Sequence, residues 1–474
     1  MNPEIISQLK LLYQKHFNHA AEEIEAMPQS GSNRQYYRIK GKPTVIGVYN
    51  SDIKENEAFL YFADFFKSKG LPVPAIYATG DNRDIYLLED LGDTTLFSII
   101  ETDNQQNTFT DRLKSLYFQV LKILPSLQVE ASKELDYSKC YPRKKFDRQS
   151  MLWDLNYFKY YFLKLAGIHF DEEKLENDFH TFMDFLSKAP SHYFLYRDFQ
   201  SRNIMIKEDG PYFIDFQGGR QGALQYDIAS LLYDAKANIP QHLRDEFLEV
   251  YLNELSHHIV DLDKEKFREF FYGFVLIRIM QAMGAYGYRG FFEGKKHFLK
   301  SIPFAIENLK QVLEHYELPV KVPELEYAFR AIIYSEKLQA ISKQGNKLNI
   351  EINSFSYKRA IPVDTSGHGG GFVFDCRALP NPGRFEAFKH LTGTDSEVIH
   401  FLNEEPEVHK FLENSWSIIS QSVEKYLERN FDHLSVSFGC TGGQHRSVYT
   451  ASKIAARLKD TYPVNIKLTH HEID

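Results

Sequence analysis

The sequence predicts an α+β protein in two parts: a two-lobed segment over residues 1–345, then a small α/β domain over residues 346–474. Three observations predict it. Alternating β-formers broken by tight turns fill much of residues 34–90, and the pattern from about 110 to 340 is mostly helical. The composition then changes across Leu318-Pro-Val-Lys-Val-Pro323 and Lys343-Gln-Gly-Asn-Lys347, after which strands and helices mix again. At 474 residues the chain is long enough for each part to bury its own core.

Arg34–Lys40 and Thr44–Tyr49 alternate on either side of Gly41-Lys-Pro43 and read as a β-hairpin. A helix is expected from about Asn56 to Lys69, stopped by Gly70 and Pro72. Ile85–Asp90 reads as a further strand, closed by Leu91-Gly92-Asp93. These elements make a small lobe over about 1–95. The large lobe, about 96–345, is helical apart from two short strands, Tyr193–Arg197 and Pro211–Asp215, which flank a loop. In the last part, strands are expected at Lys347–Phe355, Gly371–Arg377 and His433–Phe438, with helices at 405–429 and 447–460. Gly367-His-Gly-Gly-Gly371 is the one glycine cluster, and there is no internal repeat.

Composition excludes several classes. With 43% hydrophobic and 25% charged residues the chain is globular, not disordered. A net charge of −8 argues against a protein that coats nucleic acid, and in residues 346–474 Asp and Glu outnumber Lys and Arg. Cys140, Cys376 and Cys440 are odd in number and far apart, a reduced intracellular pattern. The first helix is amphipathic (Ile5, Leu9, Leu12, Phe17) and lacks the apolar core of a signal peptide. The most apolar stretch, Phe270–Phe292, carries Arg278, Gln281 and Arg289 and reads as a buried helix, not a membrane span. A cytoplasmic protein without a membrane partner is expected.

The densest chemistry lies in Tyr196-Arg-Asp-Phe-Gln-Ser-Arg-Asn203, with Ile214-Asp-Phe-Gln217 shortly after it. Phosphoryl transfer needs a carboxylate to orient the attacking hydroxyl and ligands to hold Mg²⁺ on the nucleotide phosphates. Asp198 supplies the catalytic carboxylate, Asn203 an amide oxygen for the metal, and Asp215 a second metal ligand. Oxygen-only ligation suits Mg²⁺. ATP and Mg²⁺ are therefore the expected cofactors. A strand-rich small lobe ahead of a helical large lobe is the order of the protein-kinase-like fold.

Residues 1 to about 340 resemble the aminoglycoside phosphotransferases, and within them the anomeric N-acetylmuramate and N-acetylglucosamine kinases of cell-wall recycling. Ser32-Asn-Arg-Gln-Tyr-Tyr-Arg38 resembles their nucleotide loop. Gly70-Leu-Pro-Val-Pro74 with Leu88-Glu-Asp-Leu-Gly92 is similar to their hinge, and Arg197-Asp-Phe to their catalytic loop. Asp215-Phe-Gln, Tyr226-Asp-Ile-Ala-Ser230 and the helix from Arg278 to Gly284 continue the likeness. The resemblance implies a bilobal fold and an amino-sugar substrate. It places Ser32, Arg34, Arg38 and Glu89 at the nucleotide, Asp154 and Asn156 at the sugar, and Asp227 beneath the catalytic loop.

One departure stands out. Kinases of this fold usually carry a Lys on the third strand, and Thr44–Tyr49 has none. Either Arg34, Arg38 or Lys40 supplies the charge, with Glu57 as its carboxylate partner, or the protein is a pseudokinase acting as a regulatory adapter. An aminoglycoside, choline or homoserine is an alternative acceptor.

In the last domain, Gly439-Cys-Thr-Gly-Gly-Gln-His-Arg-Ser447 lies between a strand and a helix. Such a turn offers backbone N–H groups and a helix N-terminus to an anion, and Arg446 adds a guanidinium fork. Cys440-x₅-Arg446-Ser447 also has the spacing of cysteine-dependent phosphatases, for which Asp364, Asp375 and Asp395 are candidate acids.

Residues 350–460 resemble the C-terminal domain of the RNase adapter RapZ. The likeness is carried by Ser354–Lys358, Phe372–Pro382, Leu391–Gly393, Glu407–His409 and Gly439–Val448. That resemblance implies a phosphosugar ligand cradled by the loop Cys440, Thr441, Gly442, Gly443, His445, Arg446 and Ser447. RapZ's Walker-type domain and basic tail are missing here, so RNA is not an expected partner.

Overall fold

The computed structural model describes residues 3–28, 34–104, 109–343, 348–363, 371–428, 431 and 433–473. The chain divides into two compact units, Met1–Ser342 and Lys343–Asp474.

The first unit opens with an antiparallel sheet of five strands in the order β1-β2-β3-β5-β4. These are β1 (Glu23–Ala26), β2 (Gln35–Lys40), β3 (Val45–Tyr49), β4 (Ile76–Thr79) and β5 (Ile85–Glu89). The expected hairpin is β2–β3, with Gln35 opposite Tyr49. Period-two alternation sends its side chains to two covers. Ile39, Val45 and Leu87 bury against Ile5, Leu9 and Tyr13 of the helix Pro3–Phe17. Val48, Tyr86 and Leu88 join Phe59, Phe62 and Phe66 of the helix Ile53–Ser68. Gly47 lets these side chains pack directly on its backbone, since a Cβ would lie 2.9 Å from Ile39 Cδ1 and 3.0 Å from Leu9 Cδ2. The second helix starts three residues earlier than expected. Asp52 caps it by accepting from the Glu55 N–H at 3.1 Å.

The large lobe is helical, as its periodicity demands, with two ribbons inserted. β6 (Tyr193–Leu195) pairs with β9 (Arg220–Gly222), and β7 (Ile204–Lys207) with β8 (Gly210–Phe213). The two expected strands are thus not partners of each other. Each has its own short mate, and strands of three or four residues are too brief to show a period. The ribbons hold Tyr196–Asn203 beside Ile214–Gly219. The apolar stretch near residue 270 belongs to the helix Lys264–Tyr286, whose Phe270, Phe271 and Phe274–Met280 are buried. Among the described residues no helix is long and apolar enough to cross a membrane.

The second unit is a four-stranded, all-parallel sheet in the order β11-β12-β10-β13. Its strands are β10 (Asn349–Ser356), β11 (Gly371–Asp375), β12 (His433–Cys440) and β13 (Asn465–His470). Ile350, Ile352, Val436 and Phe438 form the core with Ile419, Val423, Ile454 and Leu458. From β10 the chain moves to β11, and from β12 to β13, in opposite directions across the sheet. β10 and β12 are therefore the neighbouring strands at which the topology switches direction.

Candidate functional site

Asp227 organises the large-lobe site from below. It is fully buried in the helix Gln225–Leu232. Its carboxylate accepts from the backbone N–H of Tyr196 (2.8 Å) and Arg197 (3.0 Å) and from Gln128 Nε2 (2.9 Å). Gln128 is fixed in turn, accepting from the Tyr251 hydroxyl at 2.6 Å and donating to the Leu224 carbonyl. Burial pushes the Asp227 pKa up to about 7, while its three donors favour the ionised form. The loop above it carries the strained residues, Arg197 (φ 83°) and Asp215 (φ 70°), both in the left-handed region that non-glycine residues rarely occupy.

On this base Asp198 is half-buried, and among the described residues no hydrogen bond reaches its carboxylate. Asn203, at the end of the turn Ser201–Asn203, spends its amide N–H₂ twice, on the Asp198 carbonyl (2.8 Å) and on Asp215 Oδ2 (3.2 Å). Its amide oxygen is left over. Gln217 holds the other Asp215 oxygen at 2.8 Å. Asn203 and Asp215 therefore present oxygen ligands side by side. Among the described residues there is no cluster of three or more His, Cys, Asp or Glu. A pair of oxygens fits an ion that takes its remaining ligands from water and phosphate, as Mg²⁺ does.

Asp154 and Arg197 form a bidentate pair, 2.6 and 2.7 Å, buried on both sides. The guanidinium lies 5.0 Å from the Phe146 ring and meets the Tyr226 hydroxyl. With both its oxygens engaged, Asp154 orients the residue next to Asp198; Asn156 is half-buried on the same helix, Arg148–Phe158.

The candidate cations separate cleanly. Arg38 is locked to Asp90 and Asp93 by four hydrogen bonds of 2.8–3.2 Å, tying the sheet to the hinge. Lys40 is exposed and bonded to Glu23 and Glu25. Only Arg34 points inward: it is 2% exposed, faces the Phe59 ring at 5.7 Å, and Phe59 stacks on Phe216 at 5.0 Å. Its ion pair is with Glu55 at 3.2 Å. The contact is poorly aligned, and Nε and Nη2 lack a hydrogen bond. Burial opposes the charge, but the Tyr86, Tyr36 and Glu55 groups outweigh it and raise the Arg34 pKa.

The expected partner, Glu57, is thereby corrected. Two residues along a helix is about 200° around it, so Glu57 faces solvent and pairs with Arg83 at 3.0 Å. Glu89 accepts from Lys207 (2.9 Å) and from the Ala75 N–H (3.2 Å); burial would raise its pKa, but these donors outweigh it and lower it. Ser32, Asp364 and the glycine cluster up to residue 370 lie outside the described residues.

In the second unit the loop follows the carboxyl end of β12, where Cys440 pairs with Ser356 at the end of β10. Ser356 donates to the Thr441 carbonyl at 2.8 Å. Gly443 has φ 71°, and a Cβ on it would meet the Ser356 N at 3.0 Å. Thr441 and Gly442 are exposed. Arg446, 5% exposed, begins the helix Arg446–Thr461. It is not the free fork the sequence suggests, because Nη1 donates to the carbonyls of Arg377 (2.7 Å) and Leu379 (3.0 Å). Its Nε is buried and has no partner. His445 Nε2 contacts the Phe388 carbonyl at 2.9 Å.

Cys440 is 2% exposed, and its Sγ accepts from the Gly443 N–H and touches Ser447 Oγ, both at 3.2 Å. These two contacts fix the thiol inside the loop. Asp375 spends both oxygens on Arg377, and Asp395 accepts from Thr392.

A model of the phosphotransferase enzyme family matches residues 23–270. The chain belongs to that family, and its first unit has the protein-kinase-like fold of the aminoglycoside phosphotransferases. Residues 348–474 match the RapZ C-terminal domain. Curated relatives include nucleotide-binding proteins of Methylococcus capsulatus, 39% identical over 130 residues, and Nitrosomonas europaea, 40% over 128 residues. Each match covers 27% of this chain, and the chain spans only 42% and 43% of those relatives. Similar solved structures include choline kinase from Cryptosporidium parvum, with TM-score 0.44, 13% identity and coverage of 65% and 93% of the two chains. A gentamicin complex of the phosphotransferase APH(2'')-IIa gives TM-score 0.45 and 14% identity, covering 67% and 97%.

Proposed function

We propose that the chain is an ATP-dependent small-molecule kinase with an alcohol acceptor, an N-acetylated amino sugar phosphorylated at its anomeric hydroxyl. One observation carries the catalytic part of this reading: the Asp198 carboxylate is left without a hydrogen bond beside two paired oxygen ligands. In this reading Asp198 accepts a hydrogen bond from the acceptor hydroxyl and takes its proton as that oxygen bonds to the γ-phosphorus of ATP, while the bond from that phosphorus to the β–γ bridging oxygen breaks and ADP leaves. Arg34, whose Nε has no partner, supplies the charge that a third-strand Lys gives elsewhere, and the ion pair of Nη2 with Glu55 keeps it in place. Mg²⁺ held by Asn203 and Asp215 would neutralise charge on the nucleotide phosphates. Asp227 and the Asp154–Arg197 pair position the loop.

The test is ADP release by the full chain with Mg-ATP and a panel of N-acetylglucosamine, N-acetylmuramate, choline, homoserine and an aminoglycoside. Turnover of the acetylated sugars is expected, with a 1-phosphate product by NMR. A 6-phosphate, or turnover of the amines alone, would reject the sugar assignment. ADP release with none of them would favour the pseudokinase adapter.

The second unit, in the same reading, binds the phosphate of a phosphosugar at Thr441, Gly442 and the free edge of Arg446. Arg446→Ala is expected to weaken glucosamine-6-phosphate binding to the full chain about ten- to a hundredfold. Cys440→Ser keeps the acceptor for the Gly443 N–H and leaves binding nearly unchanged. Calorimetry measures both, and binding that survives Arg446→Ala would rule out the loop as the site.

A further inference from the structure

Two helices of the large lobe pass into π turns where they meet. Helix Arg148–Phe158 runs into the π turn Lys159–Leu163, and helix Lys264–Tyr286 into Gly287–Phe292. Such turns are uncommon and recur at functional sites. The backbones touch here. A Cβ on Gly284 would lie 2.8 Å from Tyr157 Cδ1, and one on Gly287 only 2.0 Å from the Tyr161 carbonyl oxygen. No side chain fits between the helices at this level, so the aromatic residues beside the crossing are displaced to its rim. Tyr157, Tyr161, Tyr288 and Phe292 form a continuous wall there. Ring centroids are 5.2 Å apart for Tyr157–Tyr161, 4.9 Å for Tyr161–Tyr288 and 5.5 Å for Tyr288–Phe292.

Tyr157 follows Asp154 by one helical turn, and Asp154 holds Arg197, the neighbour of Asp198. On the facing helix, Arg278 stands 5.8 Å from the Tyr226 ring, whose hydroxyl meets Arg197. At the far end of the wall Phe292 is 66% exposed.

Aromatic faces take either the polarised C–H groups of a saccharide ring or a cation. Charge decides between them. The nearby carboxylates are spent, Asp154 on Arg197 and Glu293 on Arg289 and Lys295. A quaternary ammonium would find the carboxylates of this stretch already paired. We propose that Tyr157, Tyr161, Tyr288 and Phe292 are the acceptor platform, and that it stacks a neutral or anionic saccharide ring and disfavours cationic alcohols. This rests on the kinase reading above.

The experiment uses the full chain with Phe292→Ala, Tyr288→Leu and the conservative Phe292→Tyr. Phe292 is exposed, so its replacement leaves folding intact. The KM for N-acetylglucosamine is expected to rise about tenfold or more in the first two, equivalent to about 1.4 kcal/mol of binding. The kcat and the KM for ATP stay within about twofold, and Phe292→Tyr restores the KM. An unchanged sugar KM, or choline turned over better than the sugar, would overturn the platform. If the wild type releases no ADP with any acceptor, the kinase reading fails on its own. Saturation-transfer NMR of N-acetylglucosamine then decides the platform separately. A transfer signal that the wild type gives and Phe292→Ala abolishes upholds it, and no signal from the wild type refutes it.

Discussion

Asp198→Asn is expected to lower kcat by about 10³–10⁴-fold while leaving nucleotide affinity nearly unchanged, because in the proposed mechanism it removes the proton acceptor and no metal ligand. The fold should tolerate it well. The Asp198 side chain takes no hydrogen bond among the described residues, and its backbone carbonyl, which holds Gln200 and Asn203, is untouched by the change. Asp215→Asn is expected to act differently. Asn accepts the left-handed backbone that Asp215 adopts, so strain is not added. The loss of charge beside Asn203 should raise the KM for Mg-ATP, and added Mg²⁺ should recover part of the rate. Steady-state kinetics with varied ATP and Mg²⁺ separate the two. Substantial activity in Asp198→Asn would remove it from the catalytic role.

Asp227→Asn is expected to be nearly as damaging as Asp227→Ala, despite its similar shape. One carboxylate oxygen serves the Arg197 N–H, while the other serves both the Tyr196 N–H and the Gln128 amide. In Asn, one of these oxygens becomes an N–H₂ group that points at donors. Turning the amide only changes which donors are left unsatisfied. Buried polar groups without partners cost about 1–3 kcal/mol each, so a loss of about 2–4 kcal/mol in stability is expected. The catalytic loop would loosen with it, and kcat should fall even where the protein stays folded. Denaturant unfolding followed with the activity assay checks both, and a variant as stable and active as the wild type would show that Asp227 does not brace the loop.

Much of this site was legible because its chemistry is local. Asp198, Asn203 and Asp215 fall within two short stretches, and a loop and a turn joined by short ribbons return them to one place. The strand–glycine turn–helix pattern around Gly439–Ser447 was legible for the same reason. Features set by distant packing were not. Arg34, Arg38 and Lys40 alternate along one strand and look equivalent in sequence. Only their surroundings distinguish them, since Asp90 and Asp93 come from the hinge and Glu23 and Glu25 from β1.

The sequence alone determined the two-part architecture, the grouping of Asp198, Asn203 and Asp215 in the large lobe, and the glycine loop of the second unit. In each case the decisive residues are near neighbours, and local backbone preferences set their spacing. Tertiary structure decided which cation turns inward, that Glu55 and not Glu57 faces it, that Asp154 holds Arg197, and that Arg446 has one edge already taken. It also decided where the aromatic wall stands. Tyr157 and Tyr288 are more than a hundred residues apart, and the helix crossing at Gly284 and Gly287 alone brings their rings within 6.1 Å. Side-chain direction in such places depends on the capping, crossing and burial of several elements together, and no single stretch of sequence encodes it.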